Sequence, residues 1–254
     1  MDKERKLIIA GNWKMNKTVA EALDLVTSIK RELKDVKEVD IVVCPPFTAL
    51  SEVSKAILDS NIRLGAQNMS EHMFGAHTGE IAAGMLKEFS VRYVILGHSE
   101  RRQHQNESSE LVARKALAAH QASLKPIVCV GETLAERENG QMENVLYNQV
   151  RNSLAGLSKE QMAETIIAYE PVWAVGTGKT ATTKQAEDTQ AFIRGLLVKL
   201  FDEVVARRVR IQYGGSVKPS NTRDLMSQPD VDGALVGGAS LEARAFADIV
   251  KNSI

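Results

Sequence analysis

The chain has 254 residues, of which 44% are hydrophobic and 25% charged, the profile of a soluble globular protein that can bury about three quarters of its unfolded surface without staples. Lysine plus arginine and aspartate plus glutamate are each 32, so the chain is neutral and lacks the basic excess that drives nucleic-acid binding. No stretch approaches the roughly 20 apolar residues of a membrane span, and the opening Met1–Lys6, charged in both signs, does not read as a signal peptide.

In chain order, short apolar β-branched runs alternate with helical patterns. Leu7–Ala10 reads as the first strand. The turn Gly11-Asn12-Trp13-Lys14 follows it, then a helical spacing through Val19, Leu23, Val26, Ile29 and Leu33. Ile41–Cys44 and Ile62–Ala66 are the second and third strands, and a long irregular stretch, Gln67–Gly79, follows the third. Tyr93–Leu96, the fourth, runs directly into Gly97-His98-Ser99-Glu100. Pro126–Val130 is the fifth, with Leu146, Val150, Leu154 and Leu157 at helical steps behind it and Ser158 with Gln161 at capping-box spacing. Ile166–Tyr169, the sixth, ends on Glu170 and a second irregular stretch, Pro171–Thr180; Thr182 with Gln185 then has capping-box spacing. Val209–Tyr213 leads into Gly214-Gly215-Ser216 and a helix over Asn221–Ser227. Gly233–Val236 leads into Gly237-Gly238 and a last helix, Ser240–Val250, with Ser240 as its N-cap.

Strict strand–helix alternation requires a parallel sheet with right-handed crossovers, and strands without period-2 alternation are covered on both faces. Eight units allow closure, so the fold predicted is a single-domain (β/α)8 TIM barrel over residues 1–254. A doubly wound sheet would call for a glycine-rich dinucleotide turn after its first strand, and Gly11-Asn12-Trp13-Lys14 is nothing of that kind.

In such a barrel the chemistry lies at the C-terminal ends of the strands. Asn12 and Lys14 follow the first strand, His98 the fourth and Glu170 the sixth, while the seventh and eighth end on glycine turns. Taken singly, each has a bland explanation as a capped acid, a core histidine, a solvated lysine or a tight turn. At one rim they suit proton transfer beside a carbonyl. A partly desolvated carboxylate can remove a C–H proton, and a neutral imidazole can bond the oxygen that gains charge. A lysine adds positive charge there, and glycine turns offer backbone N–H groups to a phosphate.

Two motifs are decoys. Gly178-Lys179-Thr180 resembles the end of a nucleotide-cradling loop, but Trp173 stands where that motif needs glycine. Gly176-x-Gly178-x-x-Ala181 lies several residues past its strand, not in the strand-to-helix turn of a dinucleotide site. The histidines show no metal-binding spacing and Cys44 and Cys129 are far apart, so neither metal nor cofactor is expected. An aldolase working through a Schiff base would want a lysine inside the sixth strand, and Ile166–Glu170 has none. Both cysteines sit in apolar strands, which fits free thiols and a cytoplasmic, reducing location.

The runs Gly11–Asn16, Cys44–Phe47, Gly97–Arg102, Ala168–Ala174 with Gly176–Lys179, Tyr213–Val217 and Gly237–Leu241 resemble, in order and at family-like spacing, the signature segments of the triosephosphate isomerase family. That resemblance implies Glu170 as the base shuttling a proton between C1 and C2 of dihydroxyacetone phosphate and glyceraldehyde 3-phosphate. It implies His98 as a neutral electrophile beside a helix N-terminus, and Lys14 with Asn12 near the substrate oxygens. Backbone N–H groups of Gly176, Ser216, Gly237 and Gly238 would hold the phosphate, with Pro171–Thr180 as a closing lid. The loop Gln67–Gly79, with Thr78 near its tip, would reach a partner subunit in a homodimer. Departures from the family pattern lie away from the rim: Ser90 for a common glycine, Ala82 for a common serine, and Val175 for a common isoleucine.

Overall fold

Apolar side chains on both sides of each strand find cover on both sides, which is why the strands lack alternation. The computed structural model describes residues 5–174 and 181–254. Its strands are β1 (Ile8–Asn12), β2 (Asp40–Cys44), β3 (Ile62–Ala66), β4 (Val91–Leu96), β5 (Lys125–Val130), β6 (Ile166–Tyr169), β7 (Arg210–Tyr213) and β8 (Gly233–Val236). Each pairs in parallel with the next, and β8 pairs back onto β1 to close the barrel. Ile8, Ala10, Val42, Tyr93, Ile95, Ile127, Ile166, Ala168 and Leu235 form a core of their own, with Cys44 and Cys129 among them. Their strand neighbours, including Ile9, Val43, Val94, Val128 and Ile167, belong to the larger core shared with the helices. Alternate residues of one strand thus serve a filled barrel interior and a helix-facing layer.

The helices follow local rules. Thr18, Ser158 and Thr182 each close a capping box, the last two with the expected partners Gln161 and Gln185. The first helix, Val19–Leu33, buries Ala22, Leu25, Val26, Ile29 and Leu33; Val19 stays 38% exposed in its first turn, so the stripe is rotated from the one read in the sequence. The helix expected over Asn221–Ser227 begins earlier, with Pro219 at its first position, and ends at Met226.

Ser240 is not the N-cap expected from the sequence: it lies within a short 3-10 turn, Gly238–Leu241, and the last helix starts at Ala243 behind Glu242. The Ser240 hydroxyl instead donates back to the Gly237 carbonyl at 2.7 Å. The side chain is fully buried and would crowd any Cβ at Gly11 to 2.9 Å, so packing onto β1, not capping, fixes it.

Candidate active site

Backbone pairing sets the site before any side chain is considered. Past the end of β6, the Glu170 N–H donates to Val130 O of β5 at 2.8 Å, and Gly214 N–H, past β7, donates to Tyr169 O at 2.7 Å. Glu170 is thereby held between neighbouring strand ends. The fit is close enough that a Cβ on Gly131 would stand 1.8 Å from Glu170 O, so only glycine serves there.

His98 follows β4 and Gly97 (φ +66°), and it caps the short helix Ser99–His104: its Nδ1 accepts from the Glu100 N–H at 3.3 Å. Its Nε2 lies 2.9 Å from Glu170 Oε1. Ser99 completes the contact, its N–H and Oγ–H donating to the two carboxylate oxygens at 2.9 and 3.1 Å. Both His98 and Glu170 are buried, at 6% and 2% exposure, so their pairing is not averaged by solvent.

Lys14 sits in the left-handed region at φ +53°, a strained place for a lysine that costs of order 1–3 kcal/mol. Its N–H donates to Asn12 Oδ1 at 3.1 Å, and its carbonyl accepts from Gln67 Nε2 at 2.8 Å, while the same amide also reaches Cys44 O. The strain aims Nζ at Glu100 Oε1, 2.5 Å away. Lys14, Asn12, His98, Ser216, Gly237 and Gly238 all line one cavity of about 340 Å³ at the C-terminal mouth of the barrel. Glu170 lines a smaller adjoining cavity of about 190 Å³ with Ser99 and Arg102, and it meets the first site through His98. Gly176 and most of the expected lid lie outside the described residues.

Burial pushes the Glu170 pKa up, but His98 and the two Ser99 donors push it down further, leaving the carboxyl below its ordinary value. For His98, burial pushes down, while the Glu170 carboxylate, and Glu100 less strongly, push up and prevail. That upward push depends on Glu170 resting against Nε2. At Nδ1 a backbone N–H already points inward, so the neutral ring carries its hydrogen on Nε2 and a second proton would face a donor.

Four supporting residues escaped the sequence reading. Ser99 holds the carboxylate and Gln67 holds Lys14. Glu132 is fully buried and accepts at Oε1 from Tyr169 OH (3.0 Å), Trp173 Nε1 (2.9 Å) and Arg137 (2.7 Å). Arg102 donates to Gly97 O (2.8 Å), Cys129 O (3.0 Å), Ser109 Oγ (3.1 Å) and Ser153 Oγ (3.1 Å), tying β4 and β5 beneath the histidine. Gln67 and Glu132 do carry a signal: each is a polar residue just past a strand, after β3 and β5, where the strand-end rule applies equally. Among the described residues no group of three or more His, Cys, Asp or Glu is placed to hold a metal ion, and no helix is long and apolar enough to cross a membrane.

The family model described as triosephosphate isomerase matches residues 7–253. A triosephosphate isomerase of Carboxydothermus hydrogenoformans is 56% identical over 250 residues, spanning 98% of this chain and 100% of that protein. One from Endomicrobium trichonymphae is 54% identical over 249 residues, with 98% and 99% covered. The crystal structure of triosephosphate isomerase from Bartonella henselae superposes with a TM-score of 0.88 at 40% identity, over 97% of this chain and 98% of that one.

Proposed function

The chain belongs to the triosephosphate isomerase family, and from that premise we propose how its residues divide the work. The reaction interconverts dihydroxyacetone phosphate and glyceraldehyde 3-phosphate, a step of glycolysis and gluconeogenesis. It is redox-neutral overall, since the two trioses are isomers. One proton leaves C1 and its bonding electrons move toward the C2 carbonyl oxygen; the resulting enediolate takes a proton back at C2 while the hydroxyl proton passes from O1 to O2, which leaves the carbonyl at C1.

Glu170 removes and returns that proton. Against His98 and Ser99 its carboxylate is held by three donors that lower its basicity. Turning toward the substrate leaves the Ser99 donors behind while the burial remains, so the carboxylate gains basicity where it is used. The same movement takes the negative charge away from His98 Nε2, and with it the larger of the two influences that raise the imidazole pKa, leaving burial opposed only by Glu100. His98 then faces the substrate oxygens as a neutral donor and stabilises the enediolate. Lys14, fixed by Asn12 and Gln67, supplies positive charge to the same oxygens and the phosphate. The phosphate lies against the backbone of Ser216, Gly237 and Gly238; Gly176, expected from the sequence to share this role, is outside the described residues.

We further propose a homodimer whose Gln67–Gly79 loop enters the partner. Phe74 in that loop is 88% exposed and Met15 is 96% exposed, a large apolar area to leave in water. Cytoplasmic residence suits two buried cysteines that are both free, and the full chain is read as one domain.

The observation that carries this reading is the 2.9 Å contact between His98 Nε2 and Glu170 Oε1 at the edge of a cavity ringed by Lys14, Asn12 and the glycine turns. Glu170→Gln tests it. A general base contributes about 10²–10⁴-fold, so turnover of glyceraldehyde 3-phosphate in a coupled assay should fall by at least that factor with the circular dichroism unchanged. Full activity in the folded variant would remove Glu170 from the reaction.

A further inference from the structure

The face opposite the catalytic mouth carries a second concave site. A cavity of about 380 Å³ at the N-terminal ends of the strands is lined by Arg5, Lys6, Lys125, Arg207, Arg208 and Arg210. Glu164 is the one carboxylate in its lining among the described residues. Lys125 begins β5, Arg210 begins β7, and Arg5 and Lys6 lead into β1.

Pairing does not cancel this charge. Asp40 serves both Lys6 (2.9 Å) and Arg210 (2.7 Å). Glu164 serves both Lys125 and, at 3.8 Å, Arg208. Arg5 takes Asp232 at 2.8 Å, and Arg207 takes Glu203 at 3.0 Å. Asp232 is shared in turn with Arg194, which also holds Asp230. Counting that last pair, seven cations share five carboxylates, an excess of about two positive charges in a chain whose net charge is zero. Helix-dipole compensation explains Arg207 and Arg208 in the last turn of Glu203–Arg208. It does not explain Lys125 and Arg210, which start strands.

The geometry suits capture of an anion. The Arg5 and Arg210 side chains are only 15% and 16% exposed and are locked by Asp232 and Asp40, forming a preorganised floor. Arg207 and Arg208, each 64% exposed, and Lys6 and Lys125 form a rim of solvent-facing ion pairs whose carboxylates an incoming anion can displace. Guanidinium forks bind phosphate oxygens in pairs. A single phosphate would engage two or three of these cations, whereas the six surround a cavity of the size that holds small ligands. An extended nucleic acid would need a basic stripe, whereas these cations cluster around one shallow concavity.

We propose that this cavity binds a polyphosphate chain, either free or as the tail of a nucleotide. A neighbouring cavity of about 480 Å³ shares Arg5 and Lys6 and has a mixed lining, with Leu7, Met226 and Ile254 beside Glu38, Arg223 and Asn252, so it offers both apolar and hydrogen-bonding contacts to a nucleoside.

Isothermal titration of the full-length protein with tripolyphosphate and with ATP, in metal-free buffer, tests the proposal. The titrations are run with the triose phosphates at saturation, so that the catalytic phosphate site is filled. Binding that persists under those conditions, and weakens about tenfold or more in Lys125→Gln/Arg208→Gln while isomerase kcat and KM stay unchanged, supports the site. Tighter binding of ATP identifies the nucleotide, and equal affinities the free chain. Absence of binding once substrate is present, or an unchanged affinity in the double variant, overturns it. Should the double variant fail to fold, Arg208→Gln alone carries the same comparison.

Discussion

Replacing Ser99 by alanine separates the resting position of the base from its working one. The substitution deletes the Oγ–H donor to Glu170 Oε1 (3.1 Å) and leaves the backbone N–H (2.9 Å) and His98 Nε2 (2.9 Å) in place. A hydrogen bond to a charged group contributes about 1.5–3 kcal/mol, and with two of three contacts kept the lower end applies. About 1.5 kcal/mol is roughly tenfold in the equilibrium between the held and the released carboxylate. Because Ser99 stabilises the charged form of Glu170, its loss must raise the Glu170 pKa in the free enzyme. The acid limb of kcat/KM, which reports free-enzyme groups, should therefore move to higher pH relative to wild type measured with the same substrate. The plateau should change by less than about tenfold, since Ser99 touches the base and not the substrate. The sign for stability agrees: a carboxyl with a depressed folded-state pKa stabilises above its unfolded pKa and loses that contribution as pH falls through the folded one. The variant should show a smaller drop in melting temperature on acidification. An acid limb that stays put or moves down would refute the idea that Ser99 restrains the base.

Lys14→Met should lower kcat/KM by about 10–10²-fold, the loss of one or more hydrogen bonds to a charged ligand, with the melting temperature little changed; a steady-state assay decides. Glu132→Gln leaves Arg137 without its 2.7 Å carboxylate and weakens the hold on Tyr169 and Trp173. Since Arg137 is partly exposed, a loss of about 1–3 kcal/mol is expected, a fall of about 2–12 °C for a chain this size, read by calorimetry. Cys44 is fully buried and its thiol is pushed up to about 12, and burial likewise pushes Cys129 up. Both should resist a thiol reagent at pH 8 until denaturant is added, and rapid labelling of the native protein would contradict the packing.

The barrel was legible because its strands are buried on both faces: apolar β-branched runs with turns between them admit few other topologies. β3, β6 and β8 occupy the residues read from the sequence; β2, β4, β5 and β7 differ by one or two residues at their start, and β1 starts one residue later and runs two further, to Asn12. The polar strand ends Asn12, Lys14, His98 and Glu170 could be found because position along a strand specifies the mouth of a barrel. What holds them could not. Ser99 matters through a contact 71 residues away along the chain, and Gln67 through one 53 residues away, and no local pattern encodes such pairings. Ser240 failed for a related reason: a serine before a helical run looks like a cap, but the chain used it to pack against Gly11.

Isomerisation in deuterium oxide tests the central claim most directly, by following where the moving hydrogen comes from. A carboxylate that carries a proton from C1 to C2 can exchange it with solvent before returning it, so glyceraldehyde 3-phosphate formed from unlabelled dihydroxyacetone phosphate should contain deuterium at C2 in part of the product. Product entirely free of deuterium at C2 after single turnover would contradict a proton held on a carboxylate open to exchange with solvent.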